Sequence, residues 1–247
     1  MDLQQRICDR AGEFLFFAVT PPRQTTTPER AQEIADIARK RLDGLEPDGL
    51  VLYDIDDESD RNQAERPFPF TPTMDPAEYL ARHFGELDLA VVVYRAVGKY
   101  DESDFRSWLT EQPDQVLSVF VGAASRETPV ATTLSRAQSL RAELRPDLLL
   151  GGVAIPERHT RTGTEHLRLL AKQEAGCSYF VTQVVYDVNA AKGLVSDYRY
   201  ECAARDLAPV PDRVHVLGLR VDEDAGVPEV ARRGGAPLDP QRTPARR

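Results

Sequence analysis

Seven short apolar runs, separated by stretches of helical periodicity, constrain this chain more than any other feature. They fall at residues 14–20, 49–55, 89–97, 116–123, 148–156, 179–187 and 214–219. Most are apolar throughout rather than alternating, as parallel strands covered on both faces must be. Between them lie segments with helix starts. Thr27 precedes Pro28 and Glu29, and Ala31, Ile34, Ala35 and Ala38 then recur on one face as far as Leu42. Asp75 and Pro76 open a second helix, and the spacing predicts others at 101–112, 134–144, 164–175 and 189–205. Strand and helix alternate along the whole chain, the signature of repeated βαβ units around a parallel sheet.

The expected fold class is therefore α/β, a (β/α)₈ TIM-type barrel, with a doubly wound open sheet as the alternative. No strand is followed by a Gly-rich dinucleotide fingerprint, which removes support for a Rossmann nucleotide site. The barrel is expected to be incomplete at its C-terminal end. Residues 1–219 carry the repeat, whereas residues 220–247 are rich in Arg, Gly, Pro and acids and read as a disordered tail or a frameshifted stretch. An unclosed barrel exposes two strand edges, a reason for self-association into a homo-oligomer.

Composition narrows the function classes. A chain of 247 residues with a formal charge of -9 offers no basic stripe for nucleic acid. No apolar run is long enough to span a membrane, and the N-terminus lacks the order of a signal peptide, so a cytoplasmic protein is expected. Cys8, Cys177 and Cys202 have no paired spacing, which argues against both a disulfide framework and a zinc site.

In a parallel barrel the chemistry gathers at the carboxyl ends of the strands. The polar residues there are Thr20, Tyr53, Asp54, Tyr94, Arg95, Gly122, Glu157, His159, Gln183 and Asp187. No second histidine or cysteine stands at a comparable strand end beside His159, so no metal site is expected. Asp54 falls within its strand and is a candidate buried acid. Glu165, Arg168 and Lys172 share one helix face, where they suit a pyrophosphate or an ordinary surface ion-pair ladder. Gln183 interrupts an apolar run. As a buried amide it is either satisfied internally or held for a ligand with a matching donor and acceptor edge, such as a pterin.

Two segments also resemble a known family. Residues 153–159, Val-Ala-Ile-Pro-Glu-Arg-His, and 174–187, Glu-Ala-Gly-Cys-Ser-Tyr-Phe-Val-Thr-Gln-Val-Val-Tyr-Asp, are similar to paired motifs of the methylenetetrahydrofolate reductases. Residues 17–22 resemble that family's first strand. The resemblance implies a hydride transfer from NAD(P)H, directly or through FAD, to a methylene-tetrahydropterin. It assigns His159, Glu165, Arg168, Lys172 and Gly122 to the flavin, and Gln183 with Tyr186 to the folate.

The departures are specific. The family's proton-donating glutamate falls on Ala18, its Arg-Gly-Asp on Val121, Gly122 and Ala123, and its flavin-contacting tyrosine on Ile155. Asp54 and Glu157 are then the candidate replacement acids. A folate- or pterin-binding barrel without catalytic activity, or a truncated gene product, is the alternative to the oxidoreductase.

Overall fold

The computed structural model describes residues 3–9, 14–56, 72–85, 87–113, 116–123, 129–183, 185–210 and 216–217. The acidic loop after Asp56 and the tail at 220–247 lie outside the described residues, as does most of the stretch expected to form the last strand.

A short helix α1 (Leu3–Cys8) precedes β1 (Phe16–Val19) and α2 (Pro28–Leu42). Thr27 caps α2 by accepting from the Arg30 N–H, Pro28 sits where no N–H is needed, and Ala31, Ala35, Ala38 and Leu42 bury one face. Then come β2 (Gly49–Leu52), α3 (Pro76–Tyr79) running into a π-turn (Leu80–Phe84), and β3 (Ala90–Ala96). A 3₁₀ turn (Val97–Lys99) leads to α4 (Glu102–Glu111), followed by β4 (Val116–Val121) and α5 (Leu134–Leu144). The chain continues through β5 (Leu150–Ala154), α6 (Pro156–Thr162), α7 (Glu165–Glu174), β6 (Cys177–Thr182), α8 (Val188–Ala204) and β7 (Val216–Leu217).

All strand pairings are parallel, in the order β6-β5-β4-β3-β2-β1-β7. Each of the first six strands lies beside its neighbours in sequence, and β7 returns to the free side of β1. The expected (β/α)₈ barrel is thereby corrected: among the described residues the sheet has seven strands, with β6 and β7 as its two edges. The physical reason is that among the described residues nothing supplies a strand to join those edges. The doubly wound alternative fails as well. The apolar faces of α2, α4, α5, α7 and α8 all pack in one cluster with the outward strand residues Leu50, Leu52, Val91, Val93, Phe120 and Phe180.

The other strand face forms a separate core. Phe16, Ala18, Val51, Val92, Tyr94, Leu117, Val119, Tyr179 and Val181 meet there, joined by Leu3 and Ile7 of α1. The two clusters follow strand alternation. Helix α1 is tied to the amino ends of the strands, because Arg6 pairs with Asp48, whose other carboxylate oxygen accepts from the Leu15 N–H at 2.7 Å. One end of this inner face is thus covered by α1, and the carboxyl ends of the strands form the other.

Glycine permits two close approaches on this sheet. A Cβ at Gly151 would lie 2.5 Å from the Tyr179 ring, and one at Gly49 would lie 2.6 Å from Phe16. Both glycines let a large aromatic ring lie flat against the neighbouring strand.

Candidate functional site

Strand alternation divides the expected site residues into two groups. Continuing each inner-face series to the carboxyl edge leads from Ala18 to Thr20, from Val51 to Tyr53, from Val119 to Val121 and from Val181 to Gln183. Tyr53 and Tyr94 meet edge to face there, with ring centroids 4.9 Å apart. Burial raises the phenol of Tyr53, and that of fully enclosed Tyr94 further still, so both stay protonated donors across the physiological range. The inner face at this edge is apolar apart from Thr20, Tyr53 and Tyr94, with Gln183 at the end of β6.

Gln183 lies one residue beyond β6, and its N–H extends the ladder by donating to the Ala154 carbonyl at 3.0 Å. Its side chain is exposed rather than buried, because the strand ends at Thr182 and not at Asp187. The amide is therefore open to an incoming ligand. Tyr186 is 86% exposed beyond it, and its backbone N–H donates to Glu157 Oε1 at 3.3 Å. Glu157 itself is half-buried at the start of α6.

The remaining candidates face the helices. Asp54 follows the outward series of Leu50 and Leu52. It accepts from the Ala96 N–H at 2.8 Å and from the Tyr100 hydroxyl at 2.9 Å, and Lys99 Nζ pairs with it at 2.6 Å. Burial raises its carboxyl, against the opposing pull of Lys99. Arg95 likewise points outward, paired with Asp75 and stacked 4.1 Å from the Tyr100 ring and 4.3 Å from Trp108. Gly122 backs onto α5, where a Cβ would touch Leu134.

The predicted helix face on α7 forms, but its groups bind one another and the protein. Glu165 is fully buried and pairs with Arg158 at 3.2 Å and with Arg168 at 3.8 Å. Lys172 donates to the Val153 carbonyl, and burial lowers its ammonium below the ordinary lysine range. His159 sits in the last turn of α6, where its Nε2 lies 3.0 Å from Asp197 Oδ2. Sequence reasoning missed His166 and Asp197 as its neighbours, since both come from helices rather than strand ends.

A cleft of about 1110 Å³ lies away from the inner face, between the residues preceding β1 and the β6–α8 unit. Phe14, Leu15, Phe180, Val188, Leu194 and Tyr198 are among its mostly apolar lining. It marks the side on which the sheet is left open. No described helix is long and apolar enough to cross a membrane.

No protein-family profile matches the chain, nor does any curated protein sequence. Solved structures do. An FMN-binding β-glucuronidase from Facaelibacterium prausnitzii L2-6 superposes at 13% identity with a TM-score of 0.31, over 84% of this chain and 38% of that one, a likeness too slight to carry an argument. Another is described as an uncharacterized protein from Clostridium thermocellum that binds two copies of 5-methyl-5,6,7,8-tetrahydrofolic acid. It aligns over 84% of this chain and 67% of its own length, with a TM-score of 0.72. At 41% identity over that span, this chain belongs to the same family as the Clostridium thermocellum protein.

Proposed function

We propose that this protein binds a reduced folate of the 5-methyltetrahydrofolate class at the carboxyl edge of its inner sheet face. The observation that carries the reading is the 41% identity with a protein that binds this ligand. The rim supports it. A pterin is flat, with a mixed donor and acceptor edge; Gln183 offers both kinds of partner at the end of β6, and the same inner face carries Tyr53 and Tyr94 on its β2 and β3 side. Equilibrium titration with 5-methyltetrahydrofolate tests the proposal: saturable binding is expected, and its absence overturns the reading.

Hydride transfer is the finer reading that the resemblance suggests, and the placement of Ala18 and Asp54 weighs against it. Ala18 lies on the inner face at the position of the family's proton donor and has no proton to give. Asp54 faces the helices and is held by three donors. Flavin does not fit the residues assigned to it. Lys172 and Glu165 are engaged by protein partners, His159 faces Asp197, and Gly122 backs onto α5. A colourless protein that binds the folate without oxidising NADH or NADPH in the presence of methylenetetrahydrofolate is the expected result. Turnover in that assay would establish the reductase instead.

A further inference from the structure

His159, His166 and Asp197 come together where α6, α7 and α8 pack, and one ligand atom from each lies within 4.8 Å of the others. We propose that they form a binding site for a divalent first-row cation of the zinc class. The site stands apart from the inner sheet face and does not depend on the folate reading.

The local fold explains the convergence. Helix α6 ends at Gly163, whose φ of 65° is a left-handed conformation open to glycine, and its N–H caps the helix by donating to the His159 carbonyl at 2.7 Å. The chain reverses there and enters α7 at Glu165, which puts His166 in the first turn, back against His159. The two rings stand edge to face, with centroids 5.3 Å apart at 88°. Asp197 reaches the pair from α8, 38 residues from His159.

Two features indicate a ligand rather than a finished hydrogen-bond network. His159 is only 8% exposed, and the Nδ1 atoms of both His159 and His166 are buried with no hydrogen-bond partner among the described residues. Each such orphan costs about 1–3 kcal/mol. A cation held by His159 Nε2 and Asp197 would make a ligand of the unpaired nitrogen of His166, while His159 Nδ1 stays outside the set. Two imidazoles and one carboxylate are a three-ligand set suited to zinc and its neighbours, with a further position left for water. Asp197 has a side chain 53% exposed, so that position opens to solvent.

Donors bound tetrahedrally at about 2.0–2.2 Å from an ion stand about 3.3–3.6 Å from one another. His159 Nε2 and Asp197 Oδ2, 3.0 Å apart, lie just inside that separation, and the ligand atoms of all three residues lie within 4.8 Å of one another, so small side-chain shifts would complete the set.

The test uses the full chain, untagged and stripped with a chelator, in a Cys8→Ser background because the exposed Cys8 thiol is itself a metal ligand. Zn²⁺ is titrated by calorimetry and Co²⁺ by visible absorption. One ion per chain is expected, with affinity falling about tenfold or more in His166→Gln and in Asp197→Asn. Circular dichroism of both variants should match the parent, since neither side chain is fully buried. Absence of saturable one-site binding, or affinity unchanged in both variants, overturns the proposal.

Discussion

Lys99 Nζ stands 2.6 Å from Asp54 Oδ1 on the helical side of the sheet, one residue beyond the inward-pointing Tyr53. This pairing makes Asp54 part of the fold and takes it away from the inner face. The Asp54→Asn variant is expected to lose about 3–5 kcal/mol, because the Lys99 ammonium, only 9% exposed, is left without its counter-charge. Denaturant unfolding measures the loss. Among molecules that remain folded, folate affinity should be unchanged.

Gly151 tests the shape of the inner core. Adding a methyl group there places it 2.5 Å from the Tyr179 ring, which is fixed by its hydroxyl donating to the Ser118 carbonyl at 3.0 Å. Gly151→Ala should destabilise by about 1–3 kcal/mol. Gly193 is the contrasting case, lying within α8 where an added methyl group would meet nothing inside 4 Å. Gly193→Ala should stabilise by up to about 1 kcal/mol through helix propensity. Thermal or denaturant unfolding of the two variants should therefore move in opposite directions.

Acid sensitivity should trace partly to Asp75. Burial acts to raise its carboxyl, but Arg95 and the N–H groups of Ala77 and Glu78 outweigh it and leave it below the ordinary 3.8. A lowered folded value means that the stabilisation is complete above the unfolded pKa and is lost as pH falls through the folded one. Asp75→Asn keeps an N-cap side chain but removes the charge facing Arg95. It should cost about 1–3 kcal/mol near neutral pH. The gap from the parent should narrow as pH drops below 3.8, and unfolding measured across the range from neutral to strongly acidic checks this.

Thiol chemistry separates the three cysteines. Cys8 is exposed, Cys202 is buried, and burial pushes the Cys177 thiol up to about 11. Reaction with an aromatic disulfide reagent at about pH 8 should modify one thiol per folded chain quickly and all three after denaturation. Rapid modification of more than one thiol in the folded protein would contradict the packing around Cys177.

The strand and helix alternation was legible because continuous apolar runs and capped helices are local patterns. Thr27 and Asp75 each cap a helix at a place the sequence marks, and α5 has the bounds that periodicity predicts. An unclosed sheet was expected from the tail; which strands form its edges was not legible, since that depends on long-range pairing. The facing of Asp54 was in reach: Leu50, Leu52 and Asp54 alternate with Val51 and Tyr53, and Lys99 is the cation that holds the outward acid. The segment 157–162 carries no predicted element between the strand expected at 148–156 and the helix expected at 164–175, yet Pro156 starts α6 and Gly163 ends it. His166 and Asp197 lie 7 and 38 residues from His159, and only the packing of three helices joins them.

The proposed folate site on the inner face at the carboxyl edge rests on Gln183 more than on any other side chain. Calorimetric titration of the parent, Gln183→Ala and Asp54→Asn proteins with 5-methyltetrahydrofolate separates the two sides of the sheet. Saturable binding by the parent is expected, with a loss of about tenfold or more in Gln183→Ala from the missing hydrogen bonds, and parental affinity in folded Asp54→Asn. Equal affinity in the parent and Gln183→Ala, with a loss in Asp54→Asn, would place the ligand on the helical side and refute an inner-face site.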